Sequence, residues 1–288
     1  MNILVLGSSG FLGKKIFRTI KSISNLSAFH NGLVKKKYDL TQITQLKKII
    51  KHSNPDLIIN ASAISDIDEC EQNKKKTYKI NVDVVKNIFK IKKKKKLNFF
   101  FIQFSTDQLY DSKKTLANKE TSNIKINNEY ARQKAKLEII CKKNKCLILR
   151  TNFFGKSKNK KNLTNWIFYS FKKRKKINLF KDIYFSPLRI DTLCKIIKYI
   201  IINKKYNYRG VFNLGSKKFI SKSNFAIFFA KKTKIYNKNY SLVKVNSILK
   251  VKRSRNMIMN STKFEKTFKI MLPKIKHEIM NEAKNYLK

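Results

Sequence analysis

The stretch Asn2-Ile3-Leu4-Val5-Leu6-Gly7-Ser8-Ser9-Gly10-Phe11-Leu12-Gly13-Lys14-Lys15-Ile16-Phe17-Arg18-Thr19-Ile20 decides the fold. Ile3–Leu6 is short, apolar and partly β-branched, which predicts a buried parallel strand. Apolar residues at 16, 17 and 20 have a helical spacing. Between them stand three glycines in the pattern G-x-x-G-x-x-G. Glycine permits the tight turn, the approach of backbone to a pyrophosphate, and close packing of helix on sheet. The N–H groups at the start of that helix then face the phosphates. An ordinary strand–turn–helix has the same outline. The context favours the phosphate-binding reading, because a strand precedes and a helix follows, and three of the chain's seven glycines fall here.

Outward from this stretch, strands alternate with helices. Strands are predicted at 26–29, 56–60, 97–105 and 146–150, and helices at 43–52, 76–90 and 126–143. This pattern predicts an α/β fold, a doubly wound parallel sheet covered on both faces. Residues 1–150 form the dinucleotide-binding part. After Thr151 the pattern loosens to helices at 163–173, 188–203, 223–232 and 274–287, with short strands at 177–180 and 211–214. Residues 151–288 therefore read as a smaller C-terminal substrate lobe, some segments of which are free to return to the main sheet.

Composition narrows the function classes. A hydrophobic content of 42% supports a core, and no run approaches the roughly eighteen apolar residues of a membrane span. No membrane partner is expected. Met1-Asn2-Ile3 leads straight into the first strand, so no leader peptide is expected either. Cys70, Cys141, Cys146 and Cys194 lack metal-type pairing and read as reduced thiols of a cytoplasmic protein, with no metal site. The net charge of +50 would ordinarily point to nucleic acid. Only eight of the 67 basic residues are arginine, however, and lysine, asparagine, isoleucine and phenylalanine are all abundant, as an AT-rich genome would impose. The lysines are spread along the chain. No specific nucleic-acid partner is expected, only weak, salt-sensitive adhesion to polyanions.

In parallel sheets, ligands bind beyond the carboxyl ends of the strands. The third strand ends in the small residues Asn60-Ala61-Ser62-Ala63, and the fourth in Ser105-Thr106-Asp107. Further on come Tyr130 and Lys134, four apart on a predicted helix and so on one face. A lysine ammonium beside a tyrosine favours the phenolate, and a free tyrosine titrates near ~10, too high for easy proton transfer at neutral pH. In a lysine-rich chain the pair alone is weak, and becomes specific only together with the glycine loop and Ser105-Thr106.

Taken together, these residues resemble an extended short-chain dehydrogenase/reductase, and more closely the dTDP-4-dehydrorhamnose reductase family of nucleotide-sugar reductases. The resemblance spans nearly the whole chain. It rests on Gly7–Gly13, Asn60–Ala63, Asp68-Glu69-Cys70-Glu71, Asn81-Val82, Ser105–Asp111, Asn128–Lys134 with Glu138, Leu149-Arg150-Thr151, Phe185-Ser186-Pro187, Gly210–Gly215, and Arg253 through Leu272-Pro273. It implies a Rossmann-type fold. It also implies that Gly7, Gly10 and Gly13 hold the cofactor pyrophosphate, with contacts from Ser8, Ser9, Phe11 and Leu12. Asp39 and Leu40 would sit near the adenine, and Ala61, Ser62 and Ala63 would line the cofactor. Tyr130 would donate a proton to the substrate carbonyl as hydride arrives. Lys134 would bind the nicotinamide ribose and lower the Tyr130 pKa, while Thr106 would hydrogen-bond the same oxygen. Asp107, Asn152, Phe153 and Arg253 are the expected substrate contacts. The family's usual tryptophan is replaced here by Phe153, in the run Arg150-Thr151-Asn152-Phe153, and its Arg-Pro pair by Arg253-Ser254. These departures leave the identity of the sugar open.

The implied activity is reduction of a keto group on a nucleotide-linked sugar, for surface-polysaccharide precursors. An epimerase or dehydratase of the same fold is the alternative enzyme, with Glu129 or Asp107 as its extra acid/base. A non-catalytic regulatory subunit is the other. The second strand ends in Ala28-Phe29-His30-Asn31 with no acid for a ribose 2′-hydroxyl, whereas His30, Lys35, Lys36 and Lys37 could accept a 2′-phosphate. NADPH is therefore the expected cofactor, with NADH as the alternative. A homodimer through helices 76–90 and 126–143 is implied by the resemblance, and their lysine density works against it. His30 reads as an exposed loop residue, and Asp68 and Glu71 either cap the following helix or line the sugar site, the cap being the commonplace role of an acid near a helix start.

Overall fold

The computed structural model describes residues 1–24, 26–33, 36–112, 116–158 and 162–287. The chain forms two compact units. The first comprises Met1–Thr106, Asn128–Leu149 and Cys194–Phe212, and the second Asp107–Asn127, Arg150–Leu193 and Asn213–Lys288. The division thus differs from a single cut at residue 150. Residues 107–127 cluster with the second unit, and residues 194–212 with the first.

In the first unit the strands are β1 (Asn2–Leu6), β2 (Ser27–His30), the short antiparallel pair β3 (Gly32–Leu33) and β4 (Lys36–Lys37), β5 (Leu57–Asn60), β6 (Phe100–Thr106), β7 (Leu147–Thr151) and β12 (Gly210–Leu214). Six of them form a mostly parallel sheet in the order β12-β7-β6-β5-β1-β2. Parallel registers pair Ile3 with Ala28 and Leu57, and Ile59 with Ile102. The chain leaves β1 for β2 on one side and returns as β5 on the other. That reversal opens a crevice at the carboxyl ends of β1 and β5, where such sheets hold ligands. Ile3–Leu6 and Leu57–Ile59 are fully buried, as strands covered on both faces must be.

The helices are α1 (Phe11–Lys21), α2 (Ile43–Ser53), α3 (Ile67–Gln72), α4 (Lys74–Tyr78), α5 (Val84–Lys94), α6 (Glu129–Lys143) and most of α8 (Ile190–Ile202). Leu46 and Ile49 of α2, Val85 and Ile88 of α5, and Leu137 and Cys141 of α6 share one apolar cluster with Leu4, Ile58, Phe101 and Ile148 of the sheet. The helix predicted at 76–90 is in fact α4 and α5 joined through a π-helical turn, Lys79–Asp83. The helix predicted from 126 starts at Glu129, because the Asn128 side chain accepts the Ala131 N–H at 2.9 Å. Such a cap contributes about 1 kcal/mol. The edge strand β2 begins one residue later than predicted, and β12, read only as a short strand, completes the sheet.

The second unit has its own apolar cluster, built from α7 (Leu163–Lys172), α9 (Lys222–Lys232) and α11 (Ile275–Leu287) with Phe154, Phe185, Phe225, Phe229 and Tyr286 at its centre. A three-stranded sheet runs β13-β10-β15, from Ile220–Ser221, Tyr184–Phe185 and Asn256–Met257. The unit also holds α10 (Thr262–Phe268) and two parallel strand pairs. β8 (Phe153–Phe154) pairs with β11 (Leu188–Arg189), and β9 (Ile177–Phe180) with β14 (Tyr240–Val243). All four cysteines are free and buried.

Candidate active site

The glycine loop is tight for a measurable reason. Gly7 has φ +80°, and a Cβ there would lie 2.6 Å from the Ala61 carbonyl carbon and 2.5 Å from the Ser62 nitrogen. A Cβ on Gly13 would run into the Gly7 carbonyl. Any side chain at either position displaces backbone, so the turn, α1 and the end of β5 can close together only on glycine. The Gly10 N–H donates to the Gly7 carbonyl at 3.0 Å, and Gly10, at the N-cap of α1, has no side chain with which to cap it. Ser9 is exposed, Phe11 half-buried and Leu12 buried.

Asn31 holds this loop, a role no motif in the sequence indicated. Its Oδ1 accepts from the Gly7 N–H at 3.0 Å, the Ser8 N–H at 3.2 Å and the Ser8 hydroxyl at 3.1 Å. It stands directly after β2, where an NAD-type site would carry an acid. His30 is not the exposed loop residue expected. Its ring packs 4.3 Å from Phe17, centroid to centroid, and its Nδ1 lies 3.2 Å from the Ser8 hydroxyl. Burial, then the Lys21 charge, lowers its pKa. Lys35 and the side chains of Lys36 and Lys37 lie outside the described residues. Asp39 is exposed and closes the turn into α2 by accepting from the Thr41 N–H and hydroxyl, while Leu40 is buried in the apolar cluster.

Beyond β5, Asn60 accepts the Ser62 N–H at 3.1 Å and donates to Gln103 on β6 at 2.8 Å. Ala61 and Ser62 are half-buried and Ala63 is exposed. The π-helical turn presents Asn81, which grips both the N–H and the carbonyl of Ile64 and donates to Gln133 at 2.7 Å. Gln133 in turn donates to Thr77 at 2.9 Å and Glu129 at 3.2 Å. One network therefore fixes the loop after β5 to α6, the helix that carries Tyr130 and Lys134. Glu71 caps this same helix, accepting the Glu129 N–H at 3.0 Å. The cap of α3 is Asp66, not Asp68 or Glu71, with its carboxylate taking the Asp68 and Glu69 N–H groups.

Tyr130 and Lys134 are buried, and the Lys134 ammonium lies 5.8 Å from the Tyr130 ring centroid. It donates to the Phe104 carbonyl of β6 at 3.1 Å. Burial pushes the Lys134 amine down to about 8, with Glu138 among the acidic neighbours that hold it up. Glu138 is fixed by the Ser105 hydroxyl at 2.6 Å. Thr106, buried, ends β6. The first unit thus carries the glycine loop, the small residues after β5, Thr106, Tyr130 and Lys134.

The second unit carries the remaining predicted residues. Asp107 is buried and accepts from the Asn152 amide at 2.7 Å. Phe153 and Arg253 are half-buried. Lys222, absent from every sequence motif, is close enough to Asp107 and Arg253 to feel both charges. A separate cavity of about 620 Å³ in this unit is lined by Tyr184, Phe219, Phe228, Lys231, Lys274 and His277 and contains none of the predicted residues. Among the described residues, no group of three or more His, Cys, Asp or Glu could hold a metal ion, and no helix is long and apolar enough to cross a membrane.

A doubly wound sheet, a glycine loop at its switch point and a buried Tyr-x-x-x-Lys pair define a dinucleotide-fold protein of the short-chain dehydrogenase/reductase class. Residues 1–287 match the family model described as RmlD substrate binding domain, and the chain belongs to that family. It is 23% identical over 287 residues to the dTDP-4-dehydrorhamnose reductase of Escherichia coli K12, covering 95% of this chain and 94% of that one. Its fold is similar to the crystal structure of a dTDP-4-dehydrorhamnose reductase from Clostridium acetobutylicum, with TM-score 0.87, 22% identity and all of both chains covered. It is also similar to that of a dTDP-4-dehydrorhamnose reductase from Bacillus anthracis in complex with NADP, with TM-score 0.84, 20% identity and 98% of both chains covered.

Proposed function

We propose that this chain is an NADPH-dependent oxidoreductase that reduces a keto group on a nucleotide-linked sugar, dTDP-4-dehydrorhamnose or a related 4-keto sugar. The observation that carries the reading is Lys134, a buried lysine held by the Phe104 carbonyl and set against the Tyr130 ring. A surface Tyr–Lys pair would have neither the burial nor the fixed partner. Family membership and the names of the relatives support the substrate class.

The first unit fits the cofactor. The space a Cβ would fill at Gly7 and Gly13 is closed by backbone, which suits a turn that lets phosphates approach its N–H groups. Asn31 in place of an acid after β2 suits a 2′-phosphate. When bound, NADPH supplies the hydride. The chain's own residues do the rest. Thr106 and Tyr130 donate hydrogen bonds to the carbonyl oxygen, where negative charge develops. Tyr130 transfers its proton to that oxygen. Lys134 stabilises the tyrosinate left behind and binds the ribose hydroxyls. In the second unit, Asp107 and Asn152 fix one another and, with Phe153 and Arg253, orient the substrate.

An epimerase or dehydratase needs a further free acid or base. Glu129 is engaged by Gln133 and Arg132, and Asp107 by Asn152, which favours the reductase. The reaction serves synthesis of surface-polysaccharide precursors, and the protein pairs as a homodimer. The test follows NADPH oxidation at the nicotinamide absorbance with dTDP-, UDP-, GDP- and CDP-linked 4-keto sugars. Turnover with one nucleotide class is expected. NADPH binding without turnover on any of them would contradict the reading.

A further inference from the structure

The proposed reaction makes no use of the cavity of about 620 Å³ in the second unit. Its volume falls in the range of small-molecule sites. The floor is apolar, with Ile275 buried and Tyr184, Ile227 and Phe228 half-buried. Phe219 stands at the mouth, 42% exposed, its ring edge-on to Tyr184 with centroids 6.0 Å apart. The walls are fixed by backbone. The Lys217 N–H donates to the Pro273 carbonyl at 2.8 Å, and the Ile275 N–H to the Lys217 carbonyl at 3.0 Å. The next residue, Lys218, has φ +65°, a conformation that disfavours any side chain. Among the described residues, every other non-glycine position with positive φ follows the end of a helix, whereas Lys218 sits between β12 and β13. Backbone strain of this kind gathers at ligand clamps.

Lys218, Lys231, Lys274 and Lys276 line the same cavity and are all exposed. Among the described residues, no Asp or Glu lines it, and none of these four lysines makes an ion pair. Neighbouring carboxylates are engaged elsewhere. Glu265 pairs with Lys217, Glu278 accepts from the Arg189 N–H and the Thr192 hydroxyl, and Glu282 takes the Lys156 N–H. The first turns of α9 and α11 also contribute to the wall, through Asn224 and His277, and their dipoles favour negative charge. A lysine-rich surface accounts for the charge. It does not account for an apolar, ring-lined hollow beneath that charge, and a cleft fringed by one sign of charge concentrates counter-ions.

We propose that this cavity is a second, non-catalytic site that binds a nucleoside phosphate. The base packs on Phe219 and the apolar floor, and the phosphates lie against Lys274 and Lys276. A ring and an anion in one small molecule match both halves of the lining, which neither a bare polyanion nor an apolar ligand does.

The test is calorimetric titration of the full chain with ATP and, separately, with inorganic triphosphate. Salt is physiological, and NADPH is present only to block the cofactor site. Wild type is expected to bind a single equivalent of ATP, about tenfold more tightly than triphosphate. Phe219→Ala should weaken ATP about tenfold, the usual worth of base–aromatic stacking, and leave triphosphate within about twofold. Lys274→Gln with Lys276→Gln should weaken both ligands about fivefold or more. Lys93→Gln with Lys94→Gln removes the same charge from exposed positions on α5 and should change neither by more than about twofold. All the substituted residues are exposed, and thermal melts confirm that each variant is folded. No saturable ATP binding, triphosphate bound as tightly as ATP, no effect of Phe219→Ala, or an equal loss in the α5 variant overturns the inference. ATP that binds only without NADPH occupies the cofactor site, which overturns the inference and leaves the reductase reading standing.

Discussion

The polar groups of the two units are used in opposite ways. Around α6 in the first unit, Asn81, Gln133, Thr77 and Glu129 satisfy one another in a closed chain, and even the buried Lys134 has a carbonyl. At the β10 corner of the second unit the frame is equally tied, yet the Lys222 ammonium makes no hydrogen bond or ion pair among the described residues. A closed network fixes geometry, as chemistry demands. The closed network is consistent with the proposal that the chemistry is carried by α6 of the first unit.

The strongest way to break the first half of that contrast is Gly13→Val. The side chain would meet the Gly7 carbonyl, and forcing it in costs about 3 kcal/mol or more. A lowered Tm and NADPH binding weakened by at least about 100-fold are expected. Thermal melts and cofactor titration check both.

Lys134 sharpens the contrast through pH. Its folded pKa of about 8 lies below the ordinary 10.5, so between these values the unfolded chain binds the extra proton. Stability from this group therefore rises with pH across that window, by up to roughly 3 kcal/mol. Activity moves the other way, falling above about pH 8 as the ammonium is lost. Lys134→Met should remove both trends. Paired melts and rate–pH profiles on wild type and variant read them against the background of the other lysines.

Gln133→Leu cuts the closed chain, leaving Asn81 and Thr77 each short of a partner. A loss of about 2 kcal/mol in denaturant unfolding is expected, with kcat falling more than cofactor affinity. Asn31→Ala is the mildest. Two loop N–H groups and the Ser8 hydroxyl lose their acceptor. NADPH binding should weaken by about five- to tenfold, with stability falling by about 1 kcal/mol.

How much of this was legible in the sequence follows the same divide. The glycine loop, the sheet and the Tyr130–Lys134 pair are local patterns, with spacings of three and four residues that geometry converts directly into a turn or a helix face. The resemblance to the dTDP-4-dehydrorhamnose reductase family rested on them together with segments as far along as Leu272-Pro273. Asn31 was hidden because its work is done by a side chain turned back onto a loop 23 and 24 residues away. Glu71 was read as a cap of its own neighbourhood, yet it caps a helix 58 residues on, which no local signal encodes. The π-helical turn leaves no mark in apolar spacing, since one extra residue is absorbed by the network around Asn81. In the second unit, residues 222 and 253 are brought to one end only by a sheet of two-residue strands, too short to read from periodicity. In a chain with 67 basic residues, Lys222 had nothing to distinguish it until the fold placed it.

The most direct test of the account is Tyr130→Phe beside wild type, with NADPH affinity measured by titration and turnover by NADPH oxidation on a 4-keto nucleotide sugar. Removing only the phenolic hydroxyl should lower kcat by about 10²–10⁴-fold, the usual contribution of a positioned proton donor, with NADPH affinity within a few fold of wild type. Turnover that survives the substitution at a comparable rate would place the proton donor elsewhere and contradict the assignment of the chemistry to α6.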